Sequence, residues 1–350
     1  MELNELSKDR KTLIISSKDI SRIVKEAGPD NLMKKIITVV EKGFEDFQTR
    51  KIKVPKRNGL YFSGGLVEAM PVYDERIICY KIGSVYKNNH NLNLPSTLAH
   101  LVLLDRDTGY PLAFIEDTLI TALRTGAASC IATKYLADRN SRSIGLIGAG
   151  VQAYTQLHAI ALVMPNLKTA YIYDKNPDKS RKFIDEYKRL KISGSKLEFI
   201  ISSNPRQLCQ NSDIIITATT KSNDDETVVK HSWVKEGTHI NAIGTDTPKK
   251  GGYTEVELKL LRKSKIVVDY MEQALNEGES QNLKKEEIYA ELGEIISGKK
   301  EGRISEKEIT IFDSTGVAFQ DLVAVRLFLD ANKTAIKFCS PKNTSNPYIF

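Results

Sequence analysis

The sequence predicts an α/β protein in which a doubly wound parallel sheet follows an α+β domain, and three observations carry that expectation. From residue 143 onward, short strands apolar on both faces alternate with helical segments. A glycine-rich turn joins the first of those strands to its helix. The residues before about 135 instead mix helical spacing with longer strands, the pattern of a separate layered domain.

In the first domain, apolar residues from Ile20 to Phe47 recur at helical spacing. Val67–Pro71, Ile77–Ile82 and Leu98–Leu104 read as strands, with turns such as Asp107-Thr108-Gly109 between them. In the second domain the expected strands are 143–147, 169–174, 196–201, Asp213–Ala218, His239–Ile243 and Lys265–Asp269. A helix over 154–164 ends at Pro165. After Ile309–Asp313 comes a helical apolar pattern, Val317–Leu329, which does not extend a parallel sheet and is expected to cross back to the first domain. The expected organisation is therefore 1–135 with a returning helix at about 317–340, then 136–316, then a polar tail over 341–350.

The turn reads Gly148-Ala149-Gly150-Val151-Gln152-Ala153, directly after the apolar strand Ser143–Ile147. In a Gly-x-Gly-x-x-Ala turn the first glycine permits the tight bend and the second lets backbone approach a pyrophosphate. The small third residue keeps the helix close to the sheet. This makes the second domain Rossmann-type, with a dinucleotide as its expected ligand. Asp174 ends the next strand, 26 positions after Gly148, where a carboxylate accepts hydrogen bonds from ribose hydroxyls. It favours NAD over NADP because it repels a 2′-phosphate, while Lys175 and Lys179 pull the other way and keep NADP as the alternative.

Composition excludes other classes. No run approaches the ~18 apolar residues of a membrane span, and the N-terminus has no apolar signal core, so the expected location is the cytoplasm. The net charge of +7 arises from 51 basic residues interspersed with 44 acidic ones, without the clustering that nucleic acid requires. Cys79, Cys130, Cys209 and Cys339 are far apart in apolar or helical contexts and read as buried free thiols. His90, His100, His158, His231 and His239 show no ligand spacing, so no metal is expected.

Ligands of doubly wound sheets bind beyond the carboxyl ends of the strands. Asp246 lies in such a loop, between Gly244 and Pro248, either as a turn former or as an acid or base. Lys81 sits in an apolar strand and Arg124 in a small-residue helix, places where an unpaired charge is costly. With Arg57 they are candidates for a carboxylate ligand or for structural ion pairs. Glu68, in another apolar strand, pairs with one of these cations or meets a substrate ammonium.

Several segments together resemble the ornithine cyclodeaminase and mu-crystallin family from about Pro55 to Leu329. They are Pro55–Arg57, Glu68–Pro71, Lys81, Asp107–Pro111, Thr121–Ser129, Gly148–Gln152, Asn241–Pro248 and Phe312–Gly316. The resemblance implies an NAD-dependent enzyme whose first domain binds a small amino-acid substrate and joins sheets in a homodimer. By it, Arg57, Lys81 and Arg124 bind the substrate carboxylate, Asp246 is the catalytic acid or base, and Glu68 matches a glutamate of the cyclodeaminases. The residues expected at the cofactor are Thr125, Gly148, Gly150, Val151, Gln152, Asp174, Thr217 and Asp313, and Lys81 is expected to join Asp246 in the chemistry.

The activity so implied converts L-ornithine to L-proline and ammonia by internal hydride transfer through an imine. The alternatives are an alanine- or opine-type amino-acid dehydrogenase or ketimine reductase, and, in another class, a non-catalytic cofactor- or ligand-binding protein. Pro248 is followed by Lys249, Lys250 and a longer turn to Glu255 than cyclodeaminases carry. That departure weighs against ornithine itself and suits a substrate with an extra negative group.

Overall fold

A computed structural model describes residues 11–86, 88–219, 227–244, 254–329 and 335–337. The chain divides into two compact units. The first comprises residues up to Ala27, Lys51–Thr121 and Asp321 onward; the second comprises Gly28–Arg50 and Ala122–Gln320.

In the first unit, β1 (Lys11–Ile15) leads into α1 (Ser17–Ala27). Ser16 and Asp19 cap that helix reciprocally, the carboxylate accepting the Ser16 amide at 3.0 Å. The sheet then builds from β2 (Asn58–Phe62), β3 (Gly65–Tyr73), β4 (Ile77–Tyr86), β5 (Thr97–Asp105) and β6 (Pro111–Glu116). With the late strand β15 (Ala335–Lys337), its order is β15-β1-β6-β5-β4-β3-β2. Every pairing is antiparallel except β1 with β6. Along β4, Ile77, Cys79 and Lys81 are buried while Tyr80 and Ile82 face outward, the period of two that a strand imposes.

The second unit contains α2 (Pro29–Gln48), most of α3 (Thr118–Leu136) and a sheet of eight parallel strands. In chain order these are β7 (Ser143–Ile147), β8 (Thr169–Tyr173), β9 (Glu198–Ile201), β10 (Ile214–Thr217), β11 (His239–Ala242), β12 (Lys265–Val268), β13 (Ala290–Glu291) and β14 (Thr310–Asp313). The spatial order β13-β12-β14-β11-β10-β7-β8-β9 places the reversal of winding between β7 and β10. That is where doubly wound sheets open a crevice for a ligand. Helix α4 (Val151–Val163) follows β7, and α5 (Pro177–Leu190) and α6 (Pro205–Asn211) each begin with an Asn cap and a Pro.

Several expectations are revised by the structure. The helical pattern from Ile20 to Phe47 is two helices, broken where Gly28 adopts φ +75° and Pro29 opens α2. Nor does α2 stay with the first 135 residues. Phe44 and Phe47 pack on Phe319 and Phe47 on Tyr270, so the second unit buries the apolar stripe of α2. The final helix, α7 (Ala318–Leu329), starts in the second unit and runs with the first from Asp321. Strands β1, β2, β6 and β15 are additions to the three expected in the first domain; the returning helix ends at Leu329, and β15 lies where it was expected to run on to about 340.

Candidate active site

The glycine turn of the second unit has the geometry its sequence implies. Gly148 takes φ +104°, donates its N–H to the Tyr173 carbonyl at 2.8 Å, and lies so close to the Ala218 carbonyl that a β-carbon would collide with it. At Gly150, which caps α4, a β-carbon would find nothing within 4 Å, so the amide-bearing end of the helix has room before it. Ala153 is fully buried, whereas Val151 is exposed and Gln152 half-buried. The Asp174 carboxylate accepts from the amides of Ala149 at 3.1 Å and Asn176 at 2.9 Å, tying the end of β8 to the turn. Its remaining lone pairs are suited to ribose hydroxyls. Thr217 is buried at the end of β10, and the carbonyl of buried Thr125 accepts from Gln156 at 3.3 Å.

Asp313, expected at the cofactor, accepts amides of the protein. Its two oxygens accept the backbone amides of Glu279 at 3.0 Å and Ser280 at 2.8 Å. Burial pushes its carboxyl up to about 7, with Asp269 adding to the rise against the pull of those hydrogen bonds. Three more buried carboxylates do similar work. Asp269 accepts the amides of Thr315 and Gly316, Glu279 those of Glu255 and Val256, and Glu255 those of Thr219 and Gly244. Burial raises the pKa of both Glu255 and Asp269. Asp246, with Lys249 and Lys250, lies outside the described residues.

The first unit carries a buried ion cluster. Lys81 is 3% exposed and donates at 2.7 Å to both Thr121 Oγ1 and Asp321 Oδ1, with Asp117 Oδ2 at 3.4 Å. Thr121 donates in turn to Asp117 at 2.7 Å. On the same sheet face, Glu68 pairs with Arg57 at 3.5 Å and lies 3.5 Å from the Tyr61 hydroxyl. Glu68 stands opposite Gly83 and Lys81 opposite Met70, which makes the two charged residues diagonal neighbours about 7 Å apart. The Cys79 thiol, on that face too, is pushed well up by burial and by the Asp321 and Asp117 carboxylates.

In the second unit, Arg124 is 5% exposed and donates to Gln320 Oε1 at 2.9 Å. Its guanidinium lies against Gly316, where φ is +75° and a β-carbon would come within 2.8 Å of Nη1. Among the described residues no group of three His, Cys, Asp or Glu is placed to hold a metal. No described helix is long and apolar enough to cross a membrane.

A model of the Ornithine cyclodeaminase/mu-crystallin family matches residues 18–335. The chain belongs to this family. Alanine dehydrogenase of Archaeoglobus fulgidus is 36% identical to it over 90% of this chain and 94% of its own. Ornithine cyclodeaminase of Brucella suis is 32% identical over 91% and 86% respectively. An archaeal alanine dehydrogenase dimer with bound NAD superposes with TM-score 0.83 at 34% identity, covering 94% of this chain and all of that one. Thermococcus litoralis Δ1-pyrroline-2-carboxylate reductase, solved with NADH and L-proline, gives 0.81 at 38% identity over 91% and 97%. A lysine cyclodeaminase recognising L-lysine, L-ornithine and L-2,4-diaminobutyric acid gives 0.89 at 32% identity over 97% and 99%.

Within this family member, then, Arg57, Glu68 and Lys81 come together on one sheet, and the glycine turn, Asp174 and Thr217 lie at the carboxyl ends of β7, β8 and β10 in the other. Sequence reading passed over Asp117, Thr121, Gln320 and Asp321. A signal was there for Asp321, since it is a lone carboxylate in an apolar helix, the criterion that singled out Arg124.

Proposed function

We propose that the protein is an NAD-dependent cyclodeaminase that converts L-ornithine, or a diamino acid close to it in length, into a cyclic amino acid and ammonia. The observation that supports this reading is Glu68, a buried carboxylate on the same sheet face as Lys81 and paired with Arg57 at 3.5 Å. Beside cations that can take a substrate carboxylate, it supplies an acceptor for a second ammonium. At neutral pH ornithine carries two ammonium groups and one carboxylate, whereas alanine is neutral overall.

In this reading Arg57 and Lys81 take the substrate carboxylate, Arg124 is its third cation, and Glu68 accepts from an ammonium. Holding the carboxylate orients the α-carbon, and orientation is what lowers the barrier. Gly148, Gly150 and the first amides of α4 would cradle the pyrophosphate of NAD, with Asp174 at the ribose and Thr125, Val151, Gln152 and Thr217 beside it. NAD, when bound, supplies reversible hydride acceptance, so the substrate's α-carbon is oxidised and then re-reduced without net turnover of the cofactor. Asp246 would accept the proton of the distal ammonium, because an amine near pKa 10 is not nucleophilic at pH 7. Asp313 has a supporting part, fixing the segment at Glu279 and Ser280.

The second reading is an alanine dehydrogenase, favoured by the 36% identity to the archaeal enzyme. One experiment separates them: incubation with NAD⁺ and L-ornithine, L-lysine, L-alanine or L-arginine, following ammonia, NADH and cyclic product. Ammonia and proline from ornithine without accumulating NADH are expected, and NADH accumulation with alanine overturns the proposal.

A homodimer is part of the same proposal. The edge strand β2 exposes Leu60 and Phe62, and β4 exposes Tyr80 and Ile82 on the same face, an apolar sheet surface that an isolated chain would leave in water. The relative solved as a dimer supports this assembly. Light scattering of Phe62→Lys, which should shift mass toward the monomer, tests it.

A further inference from the structure

We propose that Gln320 and Asp321, adjacent in the first turn of α7, are positioning residues for the reaction, Gln320 orienting the guanidinium of Arg124 and Asp321 the ammonium of Lys81. The proposal rests on the reading that these two cations hold the substrate carboxylate.

A lysine ammonium is a compact charge on a four-carbon stem, and a strand alone does not fix where it points. Here two of its three donors are committed at 2.7 Å, to Asp321 and to Thr121. The Thr121 proton goes to Asp117, so the threonine oxygen can only accept from Lys81, and the direction of the bond is set. The third donor is shared between Asp117 at 3.4 Å and an incoming carboxylate. One carboxylate would offset the buried ammonium, so a second exceeds what neutrality requires and acts on direction. Asp321 is itself fully buried and has no solvent to compete for the bond.

Arg124 is fixed by different means. Its planar fork is bounded by the bare α-carbon of Gly316 and pulled into plane by the Gln320 carbonyl oxygen at 2.9 Å. Gln320 is also fully buried, and its uncharged amide donates nothing to neutrality, so its hydrogen bond serves geometry. Each of these adjacent residues thus holds one cation, Asp321 that of Lys81 and Gln320 that of Arg124.

Double-mutant cycles test this. Asp321→Asn should raise the amino-acid KM about tenfold with a smaller change in kcat, and should change KM less than about twofold in a Lys81→Gln background. Gln320→Leu should behave the same way with and without Arg124→Gln. NADH affinity and melting temperature of each variant report whether it is folded. Equal losses in both backgrounds, or a lower melting temperature with unchanged KM, would overturn the positioning role. Should Lys81→Gln and Arg124→Gln alone leave KM unaltered, the carboxylate reading fails first, visible in the single variants, and this proposal goes with it. The two cycles are independent, so a variant that does not fold on one side leaves the other to decide.

Discussion

The two units solve the problem of buried charge in opposite ways. On the buried face of the first unit's mixed sheet, carboxylates meet cations: Asp117 and Asp321 flank Lys81, and Glu68 meets Arg57. At the carboxyl edge of the parallel sheet in the second, Glu255, Asp269, Glu279 and Asp313 meet backbone amides instead. The difference follows from what each edge must do. Loops leaving parallel strands present amides that need acceptors, and a carboxylate with two oxygens can pin two at once. A sheet face offers no spare backbone donors, so a charge there needs a side chain of opposite sign. The first arrangement suits exchange of a counter-ion for a charged ligand; the second suits rigid loops.

The largest effect expected from breaking this contrast is at Lys81. Lys81→Gln leaves two buried carboxylates without their ammonium and should cost about 3–5 kcal/mol of stability in urea titration. A loss below about 1 kcal/mol would mean that these aspartates do not depend on the cation. Next comes Gly148→Val, which forces a β-branched residue to φ +104° against the Ala218 carbonyl. Strain of about 1–3 kcal/mol should weaken NADH binding roughly tenfold to a hundredfold by fluorescence titration, with little change in amino-acid specificity.

Asp313 sharpens the comparison through pH. Its carboxyl lies at about 7 in the folded chain, above the ordinary 3.8, so the native state binds the proton more tightly than the unfolded state. Its contribution to stability therefore falls as pH rises from about 4 to about 7, with a slope of up to ~1.4 kcal/mol per pH unit. Asp313→Asn should flatten the stability curve in that window while lowering it overall, as followed by thermal melts across pH. An unchanged slope would assign the window to other groups. The smallest effect is expected at Gly28→Ala, where the chain passes from the first unit to the second at φ +75° with open space around it. About 1 kcal/mol should be lost from backbone strain alone.

Much of the second unit was legible because its signals are local. Continuous apolar runs such as Ile214–Thr217, buried on both faces, can be read without knowing their neighbours, and Gly148 needs positive φ wherever the strand lies. Lys81 was legible as an anomaly, a charge among apolar neighbours. Its partners were not, because Thr121 stands 40 positions away and Asp321 240. The same holds for α2, whose apolar stripe shows that one face is buried but not which unit buries it.

The sequence by itself determined the parallel sheet, its nucleotide-type turn and the presence of costly charges in apolar segments, since periodicity and glycine chemistry act over a few residues. Tertiary structure decided which carboxylate meets which cation, that Asp313 grips amides, and that adjacent residues of the last helix serve two cations. Those outcomes depend on contacts between segments far apart in the chain, formed only when the sheets and helices pack.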